Sequence, residues 1–182
     1  ENSELIIKNV GINPTRTGIL EVLQKMGADI KIENTRYISG EPVADLYCTG
    51  GKKLKALNIK REQIPSMIDE FPILCVAATQ AEGVTNIRGA EELRVKESDR
   101  IKSMVSELRK MGVEIEEYPD GLSIKGRSYL RGADIESHND HRIAMAMSIA
   151  GLIAEGITTI NGVSSVNISF PGFFDIIRRL AS

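Results

Sequence analysis

Residues 23–30 (LQKMGADI) return with few changes as residues 108–115 (LRKMGVEI), 85 positions later, and residues 81–89 (AEGVTNIRG) return as 154–162 (AEGITTING), 73 positions later. Segments this alike pack as copies of one supersecondary unit, so an element read in one copy has a counterpart in the next. The unequal offsets mean that loop lengths differ between copies.

In the second copy, residues 84–87 alternate polar and apolar side chains, as a half-buried strand does. Ile101, Met104, Val105, Leu108 and Met111 then recur at the three-and-four spacing of an amphipathic helix, and Gly112 stands where a helix end favours glycine. Two short strands follow, 113–117 and 122–124, joined by Tyr118-Pro119-Asp120-Gly121, which is hairpin chemistry. A helix over 143–154 closes the copy. Its Ala, Met, Ile and Leu side chains run all the way round, which marks a buried helix. In the first copy, Ile19, Leu20, Leu23, Met26 and Gly27 repeat the amphipathic helix, and 73–81 repeat the apolar one. The third copy has only a strand, 157–160, and a helix carrying Phe170, Phe173, Phe174 and Ile177 before Ser182.

The class expected is α/β (α+β): repeated strand-helix units with buried helices and outer sheets. A chain of 182 residues with 42% apolar content can bury one good core and is short for two ordinary domains. One domain over 1–182 is expected, with units at about 4–82 and 83–155 and an incomplete one at 156–182. The chain opens at Glu1, not methionine, and enters the strand-like run Leu5-Ile6-Ile7 almost at once, as a fragment or processed product would.

Charge narrows the function classes. With 23 basic and 25 acidic residues interspersed, the chain has no electrostatic footprint for nucleic acid or a membrane surface, so an anionic ligand must be held by a few placed cations. Cys48 and Cys75 lie in apolar surroundings without metal-type spacing, which predicts buried thiols in a reducing compartment and no disulfide framework. No run approaches the ~18 apolar residues of a membrane span. A soluble cytoplasmic protein is the expectation.

Three clusters put charge at the start of a helix, where backbone N–H groups and the helix dipole favour anions. In Arg94-Val95-Lys96-Glu97-Ser98-Asp99-Arg100, Lys96 and Arg100 are spaced to face one anion. Equally, Ser98 is a candidate N-cap with Arg100 solvated. In Ser137-His138-Asn139-Asp140-His141-Arg142, an arginine heads a buried helix and needs a partner; Asp140 can be that partner or an N-cap. Both histidines lie here, without a third ligand at recognisable spacing, so no metal is expected. In Ile68-Asp69-Glu70-Phe71-Pro72, Asp69 reads by pattern alone first as an N-cap.

These residues carry a family resemblance. Residues 94–100 (RVKESDR), followed by a helix ending in Met-Gly, resemble one signature of the 5-enolpyruvylshikimate-3-phosphate (EPSP) synthases, and 139–146 (NDHRIAMA) resemble the second. Residues 13–18 (NPTRTG), 68–72 (IDEFP) and 169–171 (SFP) match in order, so the resemblance covers essentially the whole chain. It implies an inside-out α/β enolpyruvyl transferase fold, in which two similar domains of three units each enclose the substrates. This chain would be most of the carboxyl-terminal domain, completed in the family by a segment from the extreme amino terminus.

The implied reaction moves an enolpyruvyl group from phosphoenolpyruvate to the 5-hydroxyl of shikimate 3-phosphate, in the shikimate pathway of aromatic amino acid biosynthesis that glyphosate targets. No cofactor is implied. The partners are those two substrates and the amino-terminal domain of the same polypeptide, with the whole enzyme a monomer. By resemblance, Asp69 contacts shikimate 3-phosphate and takes the hydroxyl proton, Lys96 lies near that substrate, and Glu97 serves proton transfer at the phosphoenolpyruvate methylene. Arg100 and Arg142 clamp phosphoenolpyruvate, with His141 close by. Some members carry a lysine shortly before the last Phe-Pro; here Asn167 and Ile168 stand there. The rival readings are the enolpyruvyl transferase acting on a UDP-linked amino sugar, disfavoured by the RVKESDR and NDHR matches, and a non-catalytic binding module of the same fold.

Overall fold

A helix ending in glycine leaves its last carbonyls to the turn that follows, and both copies of the Met-Gly segment solve this alike. The computed structural model describes residues 3–181. In chain order its elements are β1 (Glu4–Gly11), α1 (Gly18–Met26), β2 (Asp29–Ile38), β3 (Glu41–Thr49), β4 (Asn58–Ile59), α2 (Phe71–Gln80), β5 (Val84–Ile87), α3 (Arg100–Lys110), β6 (Ile115–Tyr118), β7 (Gly121–Lys125), β8 (Asp134–Glu136), α4 (His141–Leu152), β9 (Thr159–Asn161), α5 (Val166–Ser169) and α6 (Phe173–Ala181). After α1, Gly27 takes φ 100°, and after α3, Gly112 takes φ 89°. The next amides return to matching carbonyls, Ala28 to Leu23 at 2.9 Å and Val113 to Leu108 at 3.0 Å. That bond commits the Val113 amide to the cap, and β6 begins at Ile115, two residues later than the alternation suggests.

The fold is α/β, with sheets outside and two apolar helices within. An antiparallel sheet has the order β1-β3-β2, a mixed sheet β4-β5-β7-β6, and β8 and β9 form a parallel pair. The parallel contacts run between copies: β4 lies along β5, β8 along β9, and the bridges Lys55–Glu82 and Arg131–Glu155 extend them. The hairpin read at 118–121 joins β6 to β7, where a side chain on Gly121 would meet the Ile87 carbonyl at 1.9 Å.

Helices α2 and α4 pack together in the centre. Phe71, Leu74, Cys75 and Ala78 of α2 and Ile143, Ala146, Met147 and Ala150 of α4 are all buried in the main core, joined by Ile101, Met104 and Leu108 from α3. Full burial of the Leu, Ile, Phe and Met side chains among these contributes about 1.5–3 kcal/mol each. Helix α4 starts at His141, ahead of the 143 read from composition, because Asp140 caps it. The third-copy strand is also displaced: Ile157 is 87% exposed, and pairing with β8 covers Thr159–Asn161 instead of 157–160. Residues before it run beside Gly132, whose amide donates to the Glu155 carbonyl at 2.7 Å. Phe170 precedes α6, and Phe173 packs on Ala144 and Val166 in a small satellite core.

Both cysteines are free. Cys75 is buried as read, whereas Cys48 on β3 is only half-buried; burial pushes both thiols up. No helix among the described residues is long and apolar enough to cross a membrane.

Candidate active site

The first turns of α2, α3 and α4 meet, and each brings charge to the junction. Ahead of α2, the chain makes a 3-10 turn, Pro65–Glu70, broken by non-helical dihedrals at Met67. Pro72, in the first turn of α2, has no N–H to satisfy. Asp69 is not an N-cap: no side chain caps α2, and the Asp69 carboxylate turns instead to arginines. At α3 the cap is Asp99, accepting from the Lys102 amide at 3.0 Å and held by Arg94 at 2.8 Å. Ser98, the cap read from pattern, donates to Asp140 Oδ2 at 3.1 Å. At α4, Asp140 accepts from the Arg142 amide at 2.9 Å.

Arg100, far from solvated, has a side chain only 1% exposed. Its Nε donates to Asp140 Oδ2 at 2.8 Å, Nη2 to Glu97 Oε2 at 2.6 Å, and Nη1 to Asp69 Oδ1 at 3.4 Å. The Asp140 carboxylate therefore serves two partners, the Arg100 guanidinium through Oδ2 and the Arg142 backbone amide through Oδ1. Burial pushes the Asp140 carboxyl up, but the bond to Arg100, that guanidinium's charge, the Arg142 amide and the Ser98 hydroxyl outweigh it and hold the group below the usual range. A guanidinium so fixed keeps its orientation when a ligand arrives.

Arg142 is less confined. Its Nη2 lies 3.1 Å from Asp69 Oδ2, Nη1 donates to the Asp69 carbonyl at 3.0 Å, and Glu70 Oε1 stands 3.9 Å away. Asp69 stands two residues ahead of α2 and Arg142 is the second residue of α4, so this ion pair joins the heads of the two buried helices. A third guanidinium, Arg16, approaches Asp69 Oδ2 at 3.5 Å with its side chain 75% exposed. Burial raises the Glu70 carboxyl, opposed by the Arg142 charge and reinforced by Asp69.

Asp69 thus divides two recesses. A groove of about 170 Å³ has Asp69, Glu70 and Arg142 at its mouth and Ile73, Met145 and Phe173 among its apolar walls. A more polar one of about 220 Å³ lies by Thr15, Arg16 and Ser66. The site can offer guanidinium groups to a small anion, a carboxylate beside them, and a half-exposed Glu97.

Of the residues singled out from the sequence, Asp69, Glu97, Arg100 and Arg142 are brought together. His141 is half-buried on the first turn of α4. Lys96 does not share an anion position with Arg100; it pairs with Glu92 at 2.7 Å on the preceding 3-10 turn. Asn167 and Ile168 fall on α5, with Ile168 86% exposed. Two features went unread: the Asp140–Arg100 pair, which joins residues 40 apart, and Arg16. No repeat signal marks Arg16, since the 85-residue offset sets Thr15 against Arg100.

Comparison with known proteins gives concordant matches. The family model for EPSP synthase (3-phosphoshikimate 1-carboxyvinyltransferase) matches residues 1–177. The chain is 55% identical over 179 residues to the 3-phosphoshikimate 1-carboxyvinyltransferase of Thermodesulfovibrio yellowstonii, covering 98% of this chain and 42% of that protein. It is 54% identical to the protein of that name from Petrotoga mobilis, of which it again covers 42%. Among solved structures, EPSP synthase from Acinetobacter baumannii superposes with a TM-score of 0.96 at 46% identity, over 99% of this chain and 42% of that one. The enolpyruvyl transferase NikO from Streptomyces tendae has a TM-score of 0.73 at 20% identity, which is a likeness of fold. The chain spans about two-fifths of the length of these relatives.

Proposed function

We propose, because this chain belongs to the EPSP synthase (3-phosphoshikimate 1-carboxyvinyltransferase) family, that it forms one wall of an active site transferring the enolpyruvyl group of phosphoenolpyruvate to the 5-hydroxyl of shikimate 3-phosphate. The observation that carries this reading is the convergence of Arg100 and Arg142 on Asp69 at the heads of three helices. The chain is read as one domain of three units, the third incomplete, working in the cytoplasm against a second wall that lies outside this sequence.

Phosphoenolpyruvate is small and polyanionic, and planar guanidinium groups give it directed, paired hydrogen bonds. Arg142, reaching the groove, and the fixed Arg100 take its carboxylate and phosphate. Asp69 accepts the proton of the 5-hydroxyl as that oxygen bonds to the central carbon, while Glu97 delivers a proton to the methylene carbon. The carbon-phosphate oxygen bond then breaks, phosphate leaves, and return of a proton from the new methyl group to the Glu97 carboxylate restores the enol ether. Lys96 supports the shikimate 3-phosphate side once its pairing with Glu92 yields. Base, acid and cations are what this addition and elimination require, and each works best with water excluded.

Arg142→Lys keeps the charge and loses the paired geometry. It is expected to weaken phosphoenolpyruvate binding by about ten- to a hundredfold, with shikimate 3-phosphate binding within about twofold. Titration of each substrate into the whole enzyme checks this; equal weakening of both would assign Arg142 to holding the domain together instead.

A further inference from the structure

Helix α4 can present Arg142 only if the turn ahead of it keeps one backbone shape. That turn has no glycine, yet His138 (φ 54°) and Asn139 (φ 57°) are both left-handed. Such a conformation is strained for residues other than glycine and persists where the surroundings hold it. Ser137 Oγ donates to the Gly162 carbonyl at 2.8 Å and accepts from the Asn139 amide at 3.2 Å. From the other side comes Glu107, a fully buried carboxylate on α3. It accepts from the Glu136 amide at 3.0 Å, from His138 Nε2 at 2.9 Å and from Lys110 Nζ at 2.6 Å. Burial alone would push its acid up, and these three donors hold it below the ordinary glutamate range. A buried carboxylate with two of its three donors on one strand-to-turn segment acts as a tether for that segment. Two residues past His138, Asp140 binds Arg100 and caps Arg142.

We propose that Glu107 and His138 are positioning residues: by tethering the turn to α3 through their mutual hydrogen bond, they set where Asp140 holds Arg100 and where α4 points Arg142. The proposal rests on reading those arginines as the phosphoenolpyruvate ligands. A displacement well below about 1 Å, which leaves the reacting groups in place, is enough to loosen a paired guanidinium contact to the anion.

The test uses the whole enzyme. His138→Ala removes the donor to Glu107, His138→Gln returns one, and Glu107→Gln keeps an acceptor for the Glu136 amide without the charge. His138→Ala and Glu107→Gln are expected to raise KM for phosphoenolpyruvate about tenfold, with kcat and KM for shikimate 3-phosphate within about twofold. His138→Gln should bring KM back to within about threefold of wild type. Amide exchange at residues 139–142 should quicken in His138→Ala and not in His138→Gln. A packing role alone would lower the unfolding midpoint without separating the substrates and without rescue. Unchanged KM for phosphoenolpyruvate in both His138→Ala and Glu107→Gln overturns the proposal. If the wild-type enzyme releases no phosphate from the two substrates, the functional reading is what fails. Amide exchange then decides the tether by itself, and unaltered exchange in His138→Ala overturns it.

Discussion

Asp69→Asn in the whole enzyme is expected to lower turnover by about a hundredfold or more while shifting folding stability by about 1 kcal/mol or less. The two effects separate because of where the carboxylate sits. Asp69 is 27% exposed, and its partners Arg16 and Arg142 reach solvent, so those ion pairs are screened and contribute little to folding. Arg100 keeps Glu97 and Asp140 when Asp69 becomes an amide. An amide accepts hydrogen bonds but cannot take the hydroxyl proton, so the loss falls on the chemical step. Phosphate release gives the rate and urea denaturation the stability. Wild-type turnover in Asp69→Asn would remove Asp69 as the base.

Arg100→Met reverses that balance. Asp140 is completely buried, and its closest charged partner is Arg100 at 2.8 Å. Taking away one member of a buried pair leaves an uncompensated charge and costs about 3–5 kcal/mol. A denaturation midpoint far below wild type is therefore expected, together with loss of phosphoenolpyruvate binding. Adding Asp140→Asn removes the stranded charge and keeps an acceptor for the Arg142 amide, so the double variant should recover most of the stability and none of the affinity. A single variant as stable as wild type would show that the Asp140 charge is relieved by something other than Arg100.

How legible all this is from the chain alone depends on range. The amphipathic helices and their glycine ends are local and written at a fixed spacing in both copies, and the hairpin at 118–121 is local to the second. Strands β4 and β8, of two and three residues, are too short to show alternation; they exist because a neighbouring copy offers an edge to pair with. The site divides the same way. That RVKESDR and NDHR stand at helix starts is local, but which carboxylate serves which guanidinium is decided by packing, and there the pattern misleads. Asp69 reads as a cap and binds arginines, Ser98 reads as a cap and serves Asp140, and Arg100 reads as solvated and is buried. Glu107 looks like one more solvated helix charge until α3 is set against the turn carrying His138.

Phosphate release from phosphoenolpyruvate and shikimate 3-phosphate, followed with this chain by itself and then with the remainder of a whole EPSP synthase supplied, decides whether these residues form one wall of a two-walled site. Alone, Arg142, Asp69 and Glu97 reach solvent on one side, where exposed charge pairs contribute only about 0–1 kcal/mol each and water stays among the reacting groups. The expected result is no measurable release by the chain alone and clear release once both walls are present. Appreciable release by the chain alone, or none from the complete enzyme, would contradict the account.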